Sequence, residues 1–169
     1  ENVATNFGHE ISIIDIGGGF TNDTLISMSK NIQSVIKPHL NDIEFIAEPG
    51  RYFAETVATL YTKIINIKQR SDGSVDYWLT DGLYGSFNSL LYDHADYTPV
   101  PLYNKSTTHL HKSTLWGPTC DGFDKIGVKE LPLLSYGEWL VWRNAGAYTI
   151  AGACDFNGVN FTSPYKIYL

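Results

Sequence analysis

Within its first fifty residues the chain sets out a strand, a glycine turn, a helix and a second strand, and that order leaves few architectures open. Ile11-Ser-Ile-Ile-Asp-Ile16 is short, β-branched and almost continuously apolar, the pattern of a strand buried on both faces of a parallel sheet. Gly17-Gly18-Gly19 breaks it. From Asn22 to His39 the apolar residues Leu25, Ile26, Met28, Ile32, Val35 and Ile36 recur at helical spacing, and Pro38 fits the helix end. Ile43-Glu-Phe-Ile-Ala47 reads as another buried strand, stopped by Pro49-Gly50. A strand, a crossover helix and a parallel strand make a right-handed βαβ unit, whose ligands gather at the carboxyl ends of the strands. Both glycine-bearing turns, Gly17 to Gly19 and Glu48 to Arg51, stand at such ends.

After Arg51 the character changes. Thr56 to Ile67 and Tyr77 to Thr80 are rich in Val, Ile, Tyr, Trp and Thr, with Ser71-Asp72-Gly73-Ser74 between them as a hairpin loop. Strand and turn signals continue through Trp139 to Trp142, Tyr148 to Ala153 and Tyr165 to Leu169. The expectation is an α/β portion over 1–60 and a β-rich portion over 61–169, with no internal repeat.

With 43% hydrophobic and 14% aromatic residues, a chain of this size can bury a core. Its net charge of -6 and scattered Lys and Arg argue against nucleic acid or an anionic membrane as partner. No stretch reaches the roughly 18 apolar residues of a membrane helix, and the first residues lack a signal-peptide pattern. Cys120 and Cys154 read as reduced thiols rather than a bridge, so a cytoplasmic protein with a small-molecule ligand is expected.

Several motifs carry chemistry, each with a plainer alternative. Gly17-Gly18-Gly19 permits close backbone approach and can turn its amides toward a phosphate, or it is only a tight turn. Glu48-Pro49-Gly50-Arg51 places an acid and a guanidinium across a rigid turn, either as a salt bridge or as groups for a pyridine nitrogen and a phosphate. Trp116-Gly-Pro-Thr-Cys120-Asp121-Gly122 sets a thiol beside a carboxylate in a constrained loop, which tilts Cys120 from packed small residue toward function. Asp93, in Leu90-Leu-Tyr-Asp-His94, is a turn residue or an anion for a cationic substrate. His94, His109 and His111 lack a familiar metal-ligand spacing, and the tract His109-Leu-His111 reads as a solvated loop, so no metal is expected.

Taken in order, Asp15-Ile-Gly-Gly-Gly-Phe20, Ala47-Glu-Pro-Gly-Arg-Tyr52, Asp81-Gly-Leu-Tyr-Gly-Ser-Phe-Asn88, Leu91-Tyr-Asp-His-Ala95, Trp116-Gly-Pro-Thr-Cys-Asp-Gly122, Asn144-Ala-Gly-Ala-Tyr148 and Phe156-Asn-Gly158 resemble the ornithine decarboxylases. The match spans almost the whole chain. It is strongest in the Trp116 to Gly122 block, which is closer to ornithine decarboxylases than to diaminopimelate or arginine decarboxylases. The resemblance implies the last part of a (β/α)8 barrel that binds pyridoxal 5'-phosphate (PLP), followed by a Greek-key-like β-domain. By matching position, Gly17, Gly18 and Gly19, with Gly50 and Arg51 of the next turn and the hydroxyl of Tyr148, would hold the cofactor phosphate. Glu48 would pair with its ring nitrogen.

The resemblance further implies that Asp93 and Asp121 face the distal ammonium of ornithine and that Cys120 returns a proton to the α-carbon. It implies a homodimer with shared active sites, Cys120 and Asp121 reaching into the partner's, and Phe156 as an aromatic at the site or a packing residue. The product would be putrescine, in polyamine synthesis. Two alternatives stand beside this reading: a non-catalytic homologue of the antizyme-inhibitor kind, and a decarboxylase of lysine or another diamino acid. Thr21-Asn22 replaces the family's usual Pro-Gly, and Arg143 stands where an acid is common. No lysine here matches the family lysine that holds the cofactor covalently, since Lys30, Lys37, Lys63 and Lys68 fall in other blocks. The chain is therefore expected to be a fragment, or one half of a protein whose remainder is supplied separately, and inactive alone.

Overall fold

The computed structural model describes residues 4, 6–93, 95–103 and 109–168, so His94 lies outside it. The chain forms two compact units, Glu1–Glu55 and Thr56–Leu169. The division falls just ahead of the long first strand of the second unit.

In the first unit β1 (Ile13–Asp15) pairs in parallel with β2 (Glu44–Ile46), Ile13 opposite Glu44 and Asp15 opposite Ile46. Between them runs α1 (Leu25–Ile36), extended by a 3-10 turn at Lys37–His39 that Pro38 opens. Ahead of α1 the hydroxyls of Thr21 and Thr24 bond each other at 2.9 Å, and each accepts the other residue's backbone N–H. Thr21, the first residue of the Thr21-Asn22 departure, thus closes a reciprocal turn with Thr24, the residue that precedes α1. A short α2 (Gly50–Ala54) follows β2. The expectation of strands buried on both faces fails within this chain: Ile13 is 55% and Ile46 44% exposed. Two strands and one long helix cannot cover both faces of a parallel sheet.

The second unit is a mixed six-stranded sheet in the order β5-β8-β3-β4-β6-β7. Its strands are β3 (Leu60–Gln69), β4 (Val75–Leu79), β5 (Val100–Pro101), β6 (His111–Trp116), β7 (Lys125–Leu131) and β8 (Trp139–Trp142). β3 and β4 form the expected hairpin, in which Gly73 takes φ +82° and Asp72 accepts the N–H and hydroxyl of Ser74. β4 and β6 pair in parallel, Val75 opposite Ser113, and the crossover between them contains α3 (Ser89–Tyr92). The other named pairings of this sheet are antiparallel.

β6 and β7 were not among the expected strands. His111, read as loop, opens β6 opposite Leu131, whereas exposed His109 precedes the strand. Tyr148 to Ala153 and Tyr165 to Tyr168 form no strand, and the C-terminal region contributes only an isolated bridge between Phe156 and Val159.

The core of this unit centres on Ile64, Tyr77, Leu79, Leu115, Leu140 and Trp142, all fully buried. Phe87 packs edge-on against Trp142 at 4.7 Å. Buried polar groups are paired as burial demands: Trp142 Nε1 donates to Thr62 Oγ1 (2.8 Å), and Leu134 N–H donates to Tyr77 Oη (3.0 Å). Asp76 takes the Arg70 guanidinium at 2.6 Å.

Candidate functional site

In the first unit the candidate groups sit on the turns that leave β1 and β2. Gly17 and Gly19 take φ of +68° and +84°, which side chains rarely tolerate. A Cβ on Gly18 would come within 2.9 Å of the Glu48 carbonyl oxygen. The Glu48 N–H donates to the Gly17 carbonyl (2.8 Å), so the glycine turn and the Glu48 turn are hydrogen-bonded side by side. Gly17 spends its own N–H on Asp15 Oδ1 (2.8 Å). Arg51 lies in α2 and pairs with Glu55 at 3.0 Å.

In the second unit the crossover between β4 and β6 organises two groups of residues. The first surrounds Asn88. Its side chain donates to the Leu83 carbonyl (3.3 Å) and accepts the Gly152 N–H (2.9 Å), while its own N–H donates to the Thr149 carbonyl (3.2 Å). These bonds occupy the backbone of 149–152 that a strand would have paired elsewhere. They bring Asp93 and Tyr148 to the wall of one cavity of about 390 Å³, shared with Tyr92 and Ala151. Tyr148 holds φ +59°, a conformation a bulky residue adopts at a cost and most often where a site demands it.

The second group contains Cys120 and Asp121. Cys120 is exposed and receives the Asn157 side-chain amide at 3.6 Å. Asp121 accepts a short hydrogen bond from the Tyr84 hydroxyl and another from the Phe123 N–H (3.1 Å). The Tyr84 ring stacks on Phe156 at 4.0 Å, nearly parallel. Donation from Tyr84, then from the Phe123 amide, holds the Asp121 carboxyl below the usual carboxylate range. The Tyr84 hydroxyl is pushed up to about 12, first by the bond to Asp121 and then by burial. Asp121 is therefore an anion at neutral pH, one residue from an accessible thiol.

Sequence reasoning missed the groups beneath this surface. Asp124, 1% exposed, ties the Cys120 loop to the chain after β4 by accepting Leu83 N–H (2.8 Å) and both donors of Thr119. Asp81 accepts the N–H groups of Gly82 and Ser86, and burial raises its pKa. The signal was present in Gly82, Gly85 and Gly117, because a Cβ on any of them would strike one of these two carboxylates. A larger cavity of about 700 Å³ is lined by Tyr84, Thr119 and Asp124 but by none of Asp93, Cys120, Asp121 or Tyr148. The smaller one is the better candidate, since two of the residues singled out by sequence, Asp93 and Tyr148, line it together. Arg143 is exposed, and nothing in the structure explains it.

The family model described as pyridoxal-dependent decarboxylase, C-terminal sheet domain, matches residues 20–146. Antizyme inhibitor 2 of Xenopus laevis is 41% identical over 180 residues, covering 92% of this chain and 39% of that protein. Ornithine decarboxylase of Cricetulus griseus is 40% identical over 186 residues, covering 98% of this chain and 41% of that protein. Among solved structures, the arginine decarboxylase of Paramecium bursaria Chlorella virus, bound to agmatine, matches with a TM-score of 0.80 at 35% identity, over 94% of this chain and 45% of that one. The chain thus spans about two fifths of the length of the curated relatives named. Matched over most of its length by both model and relatives, the chain belongs to the pyridoxal-dependent decarboxylases and carries their C-terminal sheet domain.

Proposed function

We propose that this chain is part of a PLP-dependent decarboxylase that converts L-ornithine to putrescine in polyamine synthesis. The observation that carries the reading is the pairing on one loop of an ionised carboxylate, Asp121, with an exposed thiol, Cys120. A substrate with a distal ammonium and an α-carbon awaiting a proton needs both.

The residues present fit the cofactor. The positive φ at Gly17 and Gly19, and the missing Cβ of Gly18, make a backbone cradle of the kind that receives phosphate. With the Gly17 amide taken by Asp15, phosphate donation falls to Gly18 and Gly19 with Arg51, and Gly50 gives the second turn its shape. Tyr148 adds a hydroxyl to the phosphate, and Glu48 holds a proton on the ring nitrogen. When bound, PLP supplies the ring that accepts the electrons released as carbon dioxide leaves. Asp93 and Asp121 hold the distal ammonium, and Cys120 gives its thiol proton to the α-carbon. Residues 1–60 fit the end of a (β/α)8 barrel. We further propose a cytoplasmic homodimer in which Cys120 and Asp121 serve the partner's site.

Antizyme inhibitor 2 and ornithine decarboxylase match this chain almost equally, so identity does not choose between catalysis and binding alone. Retention of Glu48, Arg51, Asp93, Cys120, Asp121 and Tyr148 favours catalysis, because a protein that only binds a partner has no physical need for all six. The test is carbon dioxide release by the complete polypeptide with PLP, supplied with L-ornithine, L-lysine or L-arginine. We expect kcat/KM for ornithine to exceed that for lysine by about tenfold or more, the scale on which one methylene is discriminated. Preference for lysine or arginine overturns the substrate, and no release from any of the three overturns the activity.

A further inference from the structure

The loop bearing Cys120 and Asp121 is fastened by a set of hydrogen bonds. Its back, at Pro118 and Thr119, borders the cavity of about 700 Å³, together with Tyr84 and Asp124. Cys120 on the loop is exposed. What fixes the loop is Asp124. Its Oδ2 accepts the N–H (3.1 Å) and Oγ1 (2.7 Å) of Thr119, and its Oδ1 accepts the N–H of Leu83 (2.8 Å). Its backbone closes the loop as well, the N–H donating to the Asp121 carbonyl (3.1 Å) and the carbonyl accepting the Gly117 N–H (2.8 Å). Gly82 and Gly117 leave the room this carboxylate occupies. A buried carboxylate that receives three donors from two segments joins them, and the loop loses that join when the carboxylate is changed.

Resting on the function proposed above, we propose that Asp124 is a positioning residue: without touching substrate, it sets where Cys120 and Asp121 present their proton and charge. Asp124→Asn keeps the shape but turns an amide N–H toward a donor, whichever way the side chain is rotated.

The experiment uses the complete enzyme with PLP and compares Asp124→Asn, Cys120→Ala and wild type. The first readout is the share of turnovers that end as aldehyde instead of diamine, the substrate's α-nitrogen then remaining on the cofactor as its amine. The second is KM for ornithine, and the third is thermal unfolding. A fourth needs no loaded enzyme: the rate at which iodoacetamide alkylates Cys120 in a Cys154→Ser background without cofactor. For Asp124→Asn we expect the aldehyde share and KM each to rise about tenfold or more, the scale of a misplacement of an ångström or less. Cys120 alkylation should quicken severalfold, with unfolding still well above the assay temperature.

Normal partition, KM and alkylation in a folded Asp124→Asn enzyme overturn the proposal, as does a lowered melting temperature with all three normal. If Asp124→Asn does not fold, Thr119→Val decides, since it removes one donor to Asp124. A skewed partition there, restored in Thr119→Ser, supports the proposal, and a normal one overturns it. Cys120→Ala separates the two readings. If it yields only diamine at the normal rate, the role of Cys120 as proton donor falls, and KM and alkylation alone decide on Asp124. If it yields aldehyde while Asp124→Asn behaves as wild type, only the inference about Asp124 falls.

Discussion

The two units answer the problem of building a site in different ways. Among the described residues of the first, Phe20 is the one buried hydrophobic side chain, while Ile26 and Val35 of α1 are each 68% exposed. Its glycine turn works through backbone, two glycines at positive φ and two strand ends hydrogen-bonded together, with the side chains of Glu48 and Arg51 added on the second turn. The second unit has a core of its own, running from Ile64 to Ala145, and its candidate groups are side chains aimed by buried partners such as Asp124 and Asn88. A glycine turn presents backbone groups whose direction its own φ angles set, whereas a side chain holds its aim only as well as the packing beneath it.

The largest test of this contrast is to separate the units. Residues 56–169 alone should unfold in one cooperative thermal transition followed by circular dichroism, and residues 1–55 alone should show none. A cooperative melt of 1–55 would break the comparison outright. Next in size, Ile64→Ala should cost about 2–5 kcal/mol in urea unfolding, as large-to-small core changes do. Ile26→Ala in α1 should change stability by no more than about 0.5 kcal/mol. Similar costs at the two sites would mean that α1 is buried more deeply than it is here.

On the function proposed above, the contrast should become one of kind in the complete polypeptide. Gly18→Ala drives a Cβ toward the Glu48 carbonyl and should weaken PLP retention on dialysis by about tenfold or more with little change in substrate KM. Asp121→Asn should retain PLP and lose about two decades in kcat/KM for ornithine. If both variants lose cofactor alike, the division of labour is wrong.

The smallest expected effect is that of Tyr84→Phe on the pH dependence of stability. The Tyr84 hydroxyl sits at about 12 in the folded chain, above the ordinary value of about 10. Its bond to Asp121 therefore stabilises fully below about pH 10, and the gain is lost as pH rises through the folded value. The lowered Asp121 works in the opposite direction. Its share is present above the ordinary carboxylate value of about 3.9 and is lost as pH falls through the folded one. Urea midpoints of wild type and Tyr84→Phe should differ at neutral pH and converge at both extremes. A constant offset at every pH would show that the ring, and not the hydroxyl, is what matters.

Local order was legible where it is local in origin. The strands at Ile13–Asp15 and Glu44–Ile46, the helix at Leu25–Ile36, the hairpin at Ser71 to Ser74 and the strand at Trp139–Trp142 stand where apolar period and turn chemistry put them. β6 and β7 were not legible, because His111-Lys-Ser-Thr-Leu-Trp116 gains its strand character from β4 on one side and β7 on the other. Tyr148 to Ala153 carries strand-like residues, yet its backbone is claimed by Asn88. Cys120 and Asp121 were visible as a motif. The roles of Tyr84 and Asp124 were not, since a hydroxyl or a carboxylate is identified by its partners, and those lie 37 and 41 residues away in the chain.

The parallel pairing of β4 with β6 also sets an order of events in time. Antiparallel neighbours such as β3 and β4 or β6 and β7 can zip from a nearby turn, but a parallel pair must wait until the whole crossover between its strands has been gathered in. That crossover carries Tyr84, Asn88 and Asp93, and its start is fastened to the loop after β6 by the bonds of Leu83 to Asp124 and of Tyr84 to Asp121. The two hairpins should therefore form early and meet late. The carboxylates and thiol of the proposed site would then be among the last groups of this unit to find their places during refolding.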